Sequence, residues 1–172
     1  MAMKKRVSAG FTVIELMVTI AVMAILVTIG IPAIQELIKN NRVTAQANEL
    51  TAMINFARNE ALRRNDSIPV ELSQETNGWS GEVRSPDDLE NTEGCTVGVL
   101  RCISYDRLQL SADVDLTFNN RGYLTPFNQG NVTFALEHES CIGVRQRRLI
   151  RIRPSGQVEG CTVGCGVTEW QC

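Results

Sequence analysis

Residues 8–32 read SAGFTVIELMVTIAVMAILVTIGIP, and within 11–31 the only charge is Glu15. A helix of about 21 residues spans the roughly 30 Å hydrocarbon core of a bilayer, so the stretch predicts a membrane helix over 11–32. Ahead of it lies MAMKKRVSAG, whose Lys4, Lys5 and Arg6 would hold that end in the cytoplasm by the positive-inside bias. The remainder then faces the periplasm. An ordinary secretory signal is cut after its apolar run, at small residues, and loses the run on processing. Here GIPAIQE continues straight into charged sequence, and the small residues Ser8, Ala9 and Gly10 come before the run instead.

Glu15 needs a reason to be where it is. A carboxylate near the centre of a membrane helix costs about 2.5–3.5 kcal/mol, less near the interface, and marks a functional site by default. The structural alternative is a helix-start carboxylate that snorkels to water and favours the positive end of the helix dipole, worth about 0.3–1 kcal/mol.

A basic leader ending in Gly10, then GFTVIEL and an apolar helix, resembles the type IV prepilins and pseudopilins. The resemblance implies cleavage between Gly10 and Phe11 by a prepilin peptidase, N-methylation of Phe11, and retention of the helix for assembly into a filament. It also implies an α+β chain with the type IV pilin fold: a long N-terminal helix, its first half transmembrane, packed on an antiparallel β-sheet head. Cleavage would create a positive amine at Phe11, one turn from Glu15. In a packed bundle, a neighbour's amine could neutralise Glu15 where unpaired charge is expensive, which gives Glu15 an assembly role.

The 172 residues accommodate one anchored helix and one globular domain. The formal net charge is −2; removing the leader's Lys4, Lys5 and Arg6 takes it to −5, so bulk charge does not argue for nucleic acid. The 6 cysteines, Cys95, Cys102, Cys141, Cys161, Cys165 and Cys172, all follow the membrane helix. In an oxidising periplasm they are disulfide candidates, with too many connectivities to rank from sequence, although the spacing suggests local pairs. Zinc would need closely paired thiolates with a second pair or histidines. Only Cys161 and Cys165 come near this, and His138 is the sole histidine, so no metal and no other cofactor is expected.

Gly30 and Pro32 predict an interruption or kink, because proline removes a backbone donor and crowds the carbonyl four residues earlier. Beyond them Val43, Ala47, Leu50, Ile54, Ala57 and Ala61 recur at four and three residues, an apolar stripe fit to pack on a sheet. The expected organisation is a cleaved leader over 1–10, a membrane helix over 11–32, an amphipathic helix over 33–64 and a β-rich, disulfide-containing periplasmic head over 65–172. Alternation bounded by turn residues places strands at 68–72, 79–84, 97–105, 114–118, 132–136 and 147–153, with a last short one near Gln157. NNRG at 119–122 reads as a hairpin turn and SPDDLENTEG at 85–94 as a loop.

FARNEALRRN at 56–65, LTFNNRGYLTP and RRLIRIRPSGQVEGC are similar to the GspH/FimT (FimU-like) group of minor pilins and pseudopilins. No nucleophile with a base, phosphate-binding glycine loop or carboxylate pair in a recognisable context is present, so no enzyme is expected. The concentrated charge is Arg145, Arg147, Arg148, Arg151 and Arg153. With Ile150 and Ile152 inward, alternation would send Arg151 and Arg153 outward together with Leu149. Three readings stay open: an exposed edge whose charges discourage aggregation and meet acidic loops, a partner contact, or a phosphate-gripping face, with Arg147, Arg148, Arg151 and Arg153 as the patch. In DNA receptors of the resembled group a Gly-Arg-x-Arg motif makes the contact. Here Gln157, Val158 and Glu159 follow Gly156.

The resulting expectation is a minor type IV pilin in the initiating or tip complex that primes assembly. Its partners would be major and minor pilins, the prepilin peptidase and the inner membrane, before it enters the filament on the cell surface. The alternatives are a DNA-binding minor pilin for natural transformation and a GspH-like pseudopilin of type II secretion. Processing gives the first test. Glycine at position 10 allows close backbone approach in a narrow protease site, so Gly10→Val should leave the leader attached, and mass spectrometry finding a mature N-terminus at Phe11 in that variant would contradict this.

Overall fold

The computed structural model describes residues 10–87, 94–126, 130–142, 145–170 and 172. Helix α1, Val13–Arg64, starts at Thr12, whose Oγ1 accepts the Glu15 backbone N–H at 3.3 Å, a side-chain cap that satisfies one of the helix's orphan donors. The helix continues through Gly30 and Pro32, with Pro32 inside it, so the residues expected to kink it do not end it. Proline deletes one donor of the ladder, and an apolar helix tolerates one missing rung.

The chain divides into two units, one ending at Ile38 and the other beginning at Lys39. In the first, every large apolar side chain from Phe11 onward is exposed, and an 18-residue window has mean hydropathy 2.5 with 0% of it buried. By length and composition this segment can cross a membrane.

In the second unit, α1 buries Val43, Ala47, Leu50, Ile54, Ala57 and Ala61, together with Met53, Gln46 and Glu60. Eight strands follow among the described residues: β1 Ile68–Glu75, β2 Gly78–Arg84, β3 Val99–Asp106, β4 Leu108–Leu110, β5 Val114–Phe118, β6 Val132–His138, β7 Arg147–Ile152 and β8 Val158–Val163. They form two antiparallel sheets ordered β3-β2-β1-β5 and β4-β6-β7-β8. One core joins the helix stripe to Leu72, Trp79 and Phe118 of the first sheet and Leu108, Leu136 and Ile150 of the second. Trp79 carries its own polar tie, donating Nε1–H to Gln46 Oε1 at 3.0 Å.

The expected strands are present, 114–118 with the ends expected and the others with shifted ends. Strand β4 was not expected, since three residues between Arg107, at φ 67, and Ser111 are too few to show a period. At Asn119 the turn forms: its Oδ1 accepts the N–H of Arg121 at 3.0 Å and of Tyr123 at 3.1 Å. The returning arm bridges back at Phe118 and Leu124, held by the Asn119 N–H on the Tyr123 carbonyl at 2.9 Å and the Thr125 N–H on the Thr117 carbonyl at 2.8 Å. On its outer side the Leu124 N–H donates to the Pro154 carbonyl at 2.9 Å, which joins the hairpin to a second turn. Most of the expected loop at 85–94 lies outside the described residues.

A second, smaller core covers the other face of the second sheet, where Leu149, Ala135 and Val163 pack with Val167 and Trp170. Leu149 is thus buried, contrary to the outward expectation, because the segment after β8 folds over it. Disulfides join Cys95 to Cys102, Cys141 to Cys165 and Cys161 to Cys172. The last two tie the segment after β8 to the head at both of its ends.

Arg58 connects the helix to the two turns. Its Nε–H donates to the Gly122 carbonyl at 3.1 Å, and a Cβ at Gly156, whose φ is +78, would fall 2.3 Å from that same oxygen and 2.9 Å from Arg58 Nε. Only glycine fits there, both for its left-handed backbone and for the close approach. Gly156→Ala should destabilise the protein by about 2–4 kcal/mol, seen as an early unfolding transition of the buried Trp79 fluorescence; an unchanged midpoint would contradict the clasp.

Candidate functional site: an assembly segment and a partnered arginine strand

At the start of the first unit, Gly10 has open space around its Cα, and Phe11 is 81% exposed. Glu15 stands exposed on the first turn of α1, three residues after the capping Thr12, the spacing of a capping box. Among the described residues it makes no ion pair. A negative group at a helix start is electrostatically favoured, yet the apolar side chains around it meet nothing within the unit. Such a surface is stable only against lipid or against other helices.

The head places the arginines differently from a basic patch. Strand β7 lies between β6 and β8, so it is not the exposed edge that was one of the expectations. Arg147 is buried and pairs with Glu137, its cross-strand partner on β6. Arg148 points to the helix side, donating Nη2–H to Thr44 Oγ1 at 2.8 Å, and burial pushes its pKa below the usual guanidinium range. The Arg151 guanidinium lies 3.9 Å from the centroid of the Trp170 ring, a stacked cation–π contact. Arg153 pairs with Glu159 at 2.6 Å. Arg147 and Arg151 share one face with Leu149, whereas Arg148 shares the other with Ile150 and Ile152. The candidate patch is divided across the sheet, and Glu159, the acidic departure from Gly-Arg-x-Arg, neutralises an arginine beside it.

Sequence reasoning missed several positioned polar groups. The Tyr105 hydroxyl bonds to the Glu49 carboxylate, and burial, reinforced by that bond, pushes its pKa up to about 12. Glu60 is held below the usual carboxylate range, chiefly by its hydrogen bond from Arg63, and Arg64 adds a contact at 2.8 Å. His138 is buried, its Nδ1 3.2 Å from Ser140 Oγ, which accepts from Lys39 Nζ at 3.0 Å. Burial, then the Lys39 charge, lowers the His138 pKa. For Gln46, Glu49 and Glu60 the available signal was their place beside the apolar stripe; for Tyr105 and His138 there was none, since their partners are distant in the chain.

A methylation-type N-terminus, a long apolar helix and two antiparallel sheets packed on that helix's second half define the class of type IV pilin-like proteins. Within it, the chain belongs to the GspH family: the family model described as type II transport protein GspH matches residues 46–156. The prokaryotic N-terminal methylation motif matches residues 5–31. Two crystal structures of the type IV minor pilin FimU from Pseudomonas aeruginosa (strain PAO1) share the fold. At 24% identity they superpose with TM-scores of 0.51 and 0.53, covering 69% of this chain and 91% and 87% of theirs. No curated protein sequence matches the chain. This family and fold are structural rather than enzymatic.

With its strand arginines engaged one by one, and nine basic against fifteen acidic residues after Asn65, the protein has little to offer a polyanion. Duplex DNA binding should be negligible near about 0.15 M salt, and arginine at Gln157 and Glu159 should raise it. Binding at about micromolar or tighter that requires Arg151 and Arg153 would contradict this.

Proposed function

We propose that this chain is a minor type IV pilin, cut between Gly10 and Phe11 by a prepilin peptidase, N-methylated at Phe11 and built into a pilus, in the initiating or tip complex that primes assembly. The observation that carries the reading is the first unit: a capped helix bearing the methylation motif, with its large apolar side chains all exposed. It supports an order of leader over 1–10, membrane and assembly helix over 11–32, helix of the head over 33–64 and periplasmic head over 65–172. The helix holds the chain in the inner membrane before extraction into the filament, and its partners there are other major and minor pilins. DNA is not among the partners proposed.

A second reading, a pseudopilin of a type II secretion system, is favoured by the description of the matching family as a type II transport protein. Neighbouring genes separate the two, as does complementation of piliation against complementation of secretion. In either system Glu15 neutralises the N-terminal amine of an adjacent subunit. Glu15→Ala removes a charge that is costly in lipid, so membrane insertion should be kept while incorporation into filaments falls severalfold. Immunoblots of sheared filaments and of membranes check both, and normal incorporation would remove the role assigned to Glu15.

A further inference from the structure

One polar cavity of the head has no part in the function above. Thr44, Asn48 and Thr51 on α1 face Arg148 on β7 and Gly160 on β8 across an open space of about 180 Å³. Sites for drug-sized ligands run to about 300–1,000 Å³, so this one suits a group the size of a single side chain.

Arg148 supplies the charge. Its partner is a hydroxyl, Thr44 Oγ1, a neutral acceptor that occupies one of the five guanidinium donors. Of its neighbours, Arg147 and Arg153 meet carboxylates, Glu137 and Glu159, and Arg151 stacks on Trp170. No carboxylate pairs with Arg148 among the described residues. A partly buried cation without a counter-charge is costly, and desolvation lowers its pKa accordingly. The Thr44 and Thr51 hydroxyls now donate to the carbonyls of Asn40 and Ala47, each at 2.8 Å. Those local bonds are weak competitors, so the hydroxyls can turn toward a ligand.

Gly160 leaves the mouth open. It pairs with Ile150 across β7 and β8 and is exposed. A Cβ there would meet nothing nearer than the Leu149 carbonyl oxygen at 3.8 Å, so the backbone does not require glycine. A strand glycine without a conformational reason marks a place where another group comes close.

We propose that this cavity is a carboxylate-binding site, with Arg148 as the charged donor and Asn48, Thr44 and Thr51 as its polar rim, occupied by an acidic side chain of a neighbouring subunit. The choice of a neighbour rests on the proposed incorporation into a filament and on affinity. One charge-assisted pair holds a free small acid only weakly, whereas a side chain presented by an adjacent subunit arrives at an effective concentration on the order of millimolar or higher.

The isotope-labelled full chain in detergent micelles, titrated with sodium acetate at constant ionic strength, tests the chemistry. Amide signals of Asn48 and Gly160 should move saturably, and both Arg148→Gln and Gly160→Leu should weaken binding at least about tenfold. A Cβ at Gly160 meets no clash, so Gly160→Leu obstructs the mouth and keeps the test independent of the loss of Arg148. Absence of saturable shifts, or shifts unchanged in both variants, would overturn the site. A photo-crosslinker at the exposed Ala52, one turn from Asn48, tests the source. In filaments it should capture an Asp- or Glu-bearing segment of another subunit, and Arg148→Gln should abolish that capture. A filament-incorporated protein giving no such crosslink overturns the neighbour as ligand. A wild-type chain missing from filaments contradicts the proposed function instead, and the acetate titration still decides the site.

Discussion

One stripe on one helix holds both sheets. Leu50, Met53, Ile54 and Ala57 of α1 are each 0% exposed, and the same core takes in Trp79 and Phe118 from one sheet and Leu136 and Ile152 from the other. A four-stranded antiparallel sheet needs one covered face to be stable, and here a single helix covers two. Ala47, Ala57 and Ala61 keep the stripe shallow enough for strands to approach. Removing a large side chain such as Leu50 would cost about 2–5 kcal/mol by the usual cavity reasoning, a large share of the stability of a domain this size. The Gln46–Trp79 bond and the Arg58 contact with Gly122 add direction to what burial alone leaves non-directional.

The same helix has two chemical natures. Past Lys39 its charges fall off the stripe, and its apolar residues are consumed by the sheets. Before Ile38 nothing within the unit covers the apolar residues. A soluble domain does not leave that much hydrocarbon in water. Lipid, and afterwards the corresponding helices of other subunits, are the surroundings that the composition fits, and Glu15 is the polar exception in need of a partner.

The stripe was legible because a four-and-three spacing in Val43, Ala47, Leu50, Ile54, Ala57 and Ala61 reports a buried helical face directly. Strands such as β5 were legible from alternation flanked by turn residues. Strand β4 was too short to carry a period, and Pro32 does not end the helix because one missing donor leaves the rest of the ladder in place. The arginine strand misled for a different reason. Period two places Arg151 and Leu149 together, but whether that face is wet depends on Trp170 and the disulfides of Cys161 and Cys165, residues that pattern alone cannot bring to it. Arg147 found the carboxylate opposite it on β6, Glu137, and Arg153, just past β7, reached Glu159, which lies opposite Arg151; pattern alone does not give that register. The N-terminal segment is the opposite case: the methylation motif that matches it lies in one contiguous stretch, residues 5–31, which a local window contains whole.

The central claim is that the helix beginning at Phe11 is retained and carried into a filament together with the head. The most direct measurement is mass spectrometry of this chain's N-terminal peptide from sheared, purified filaments alongside the membrane fraction. The account expects the filament fraction to contain the chain beginning at an N-methylated Phe11. Finding it only in membranes with residues 1–10 still attached, or released without its apolar helix, would contradict the account.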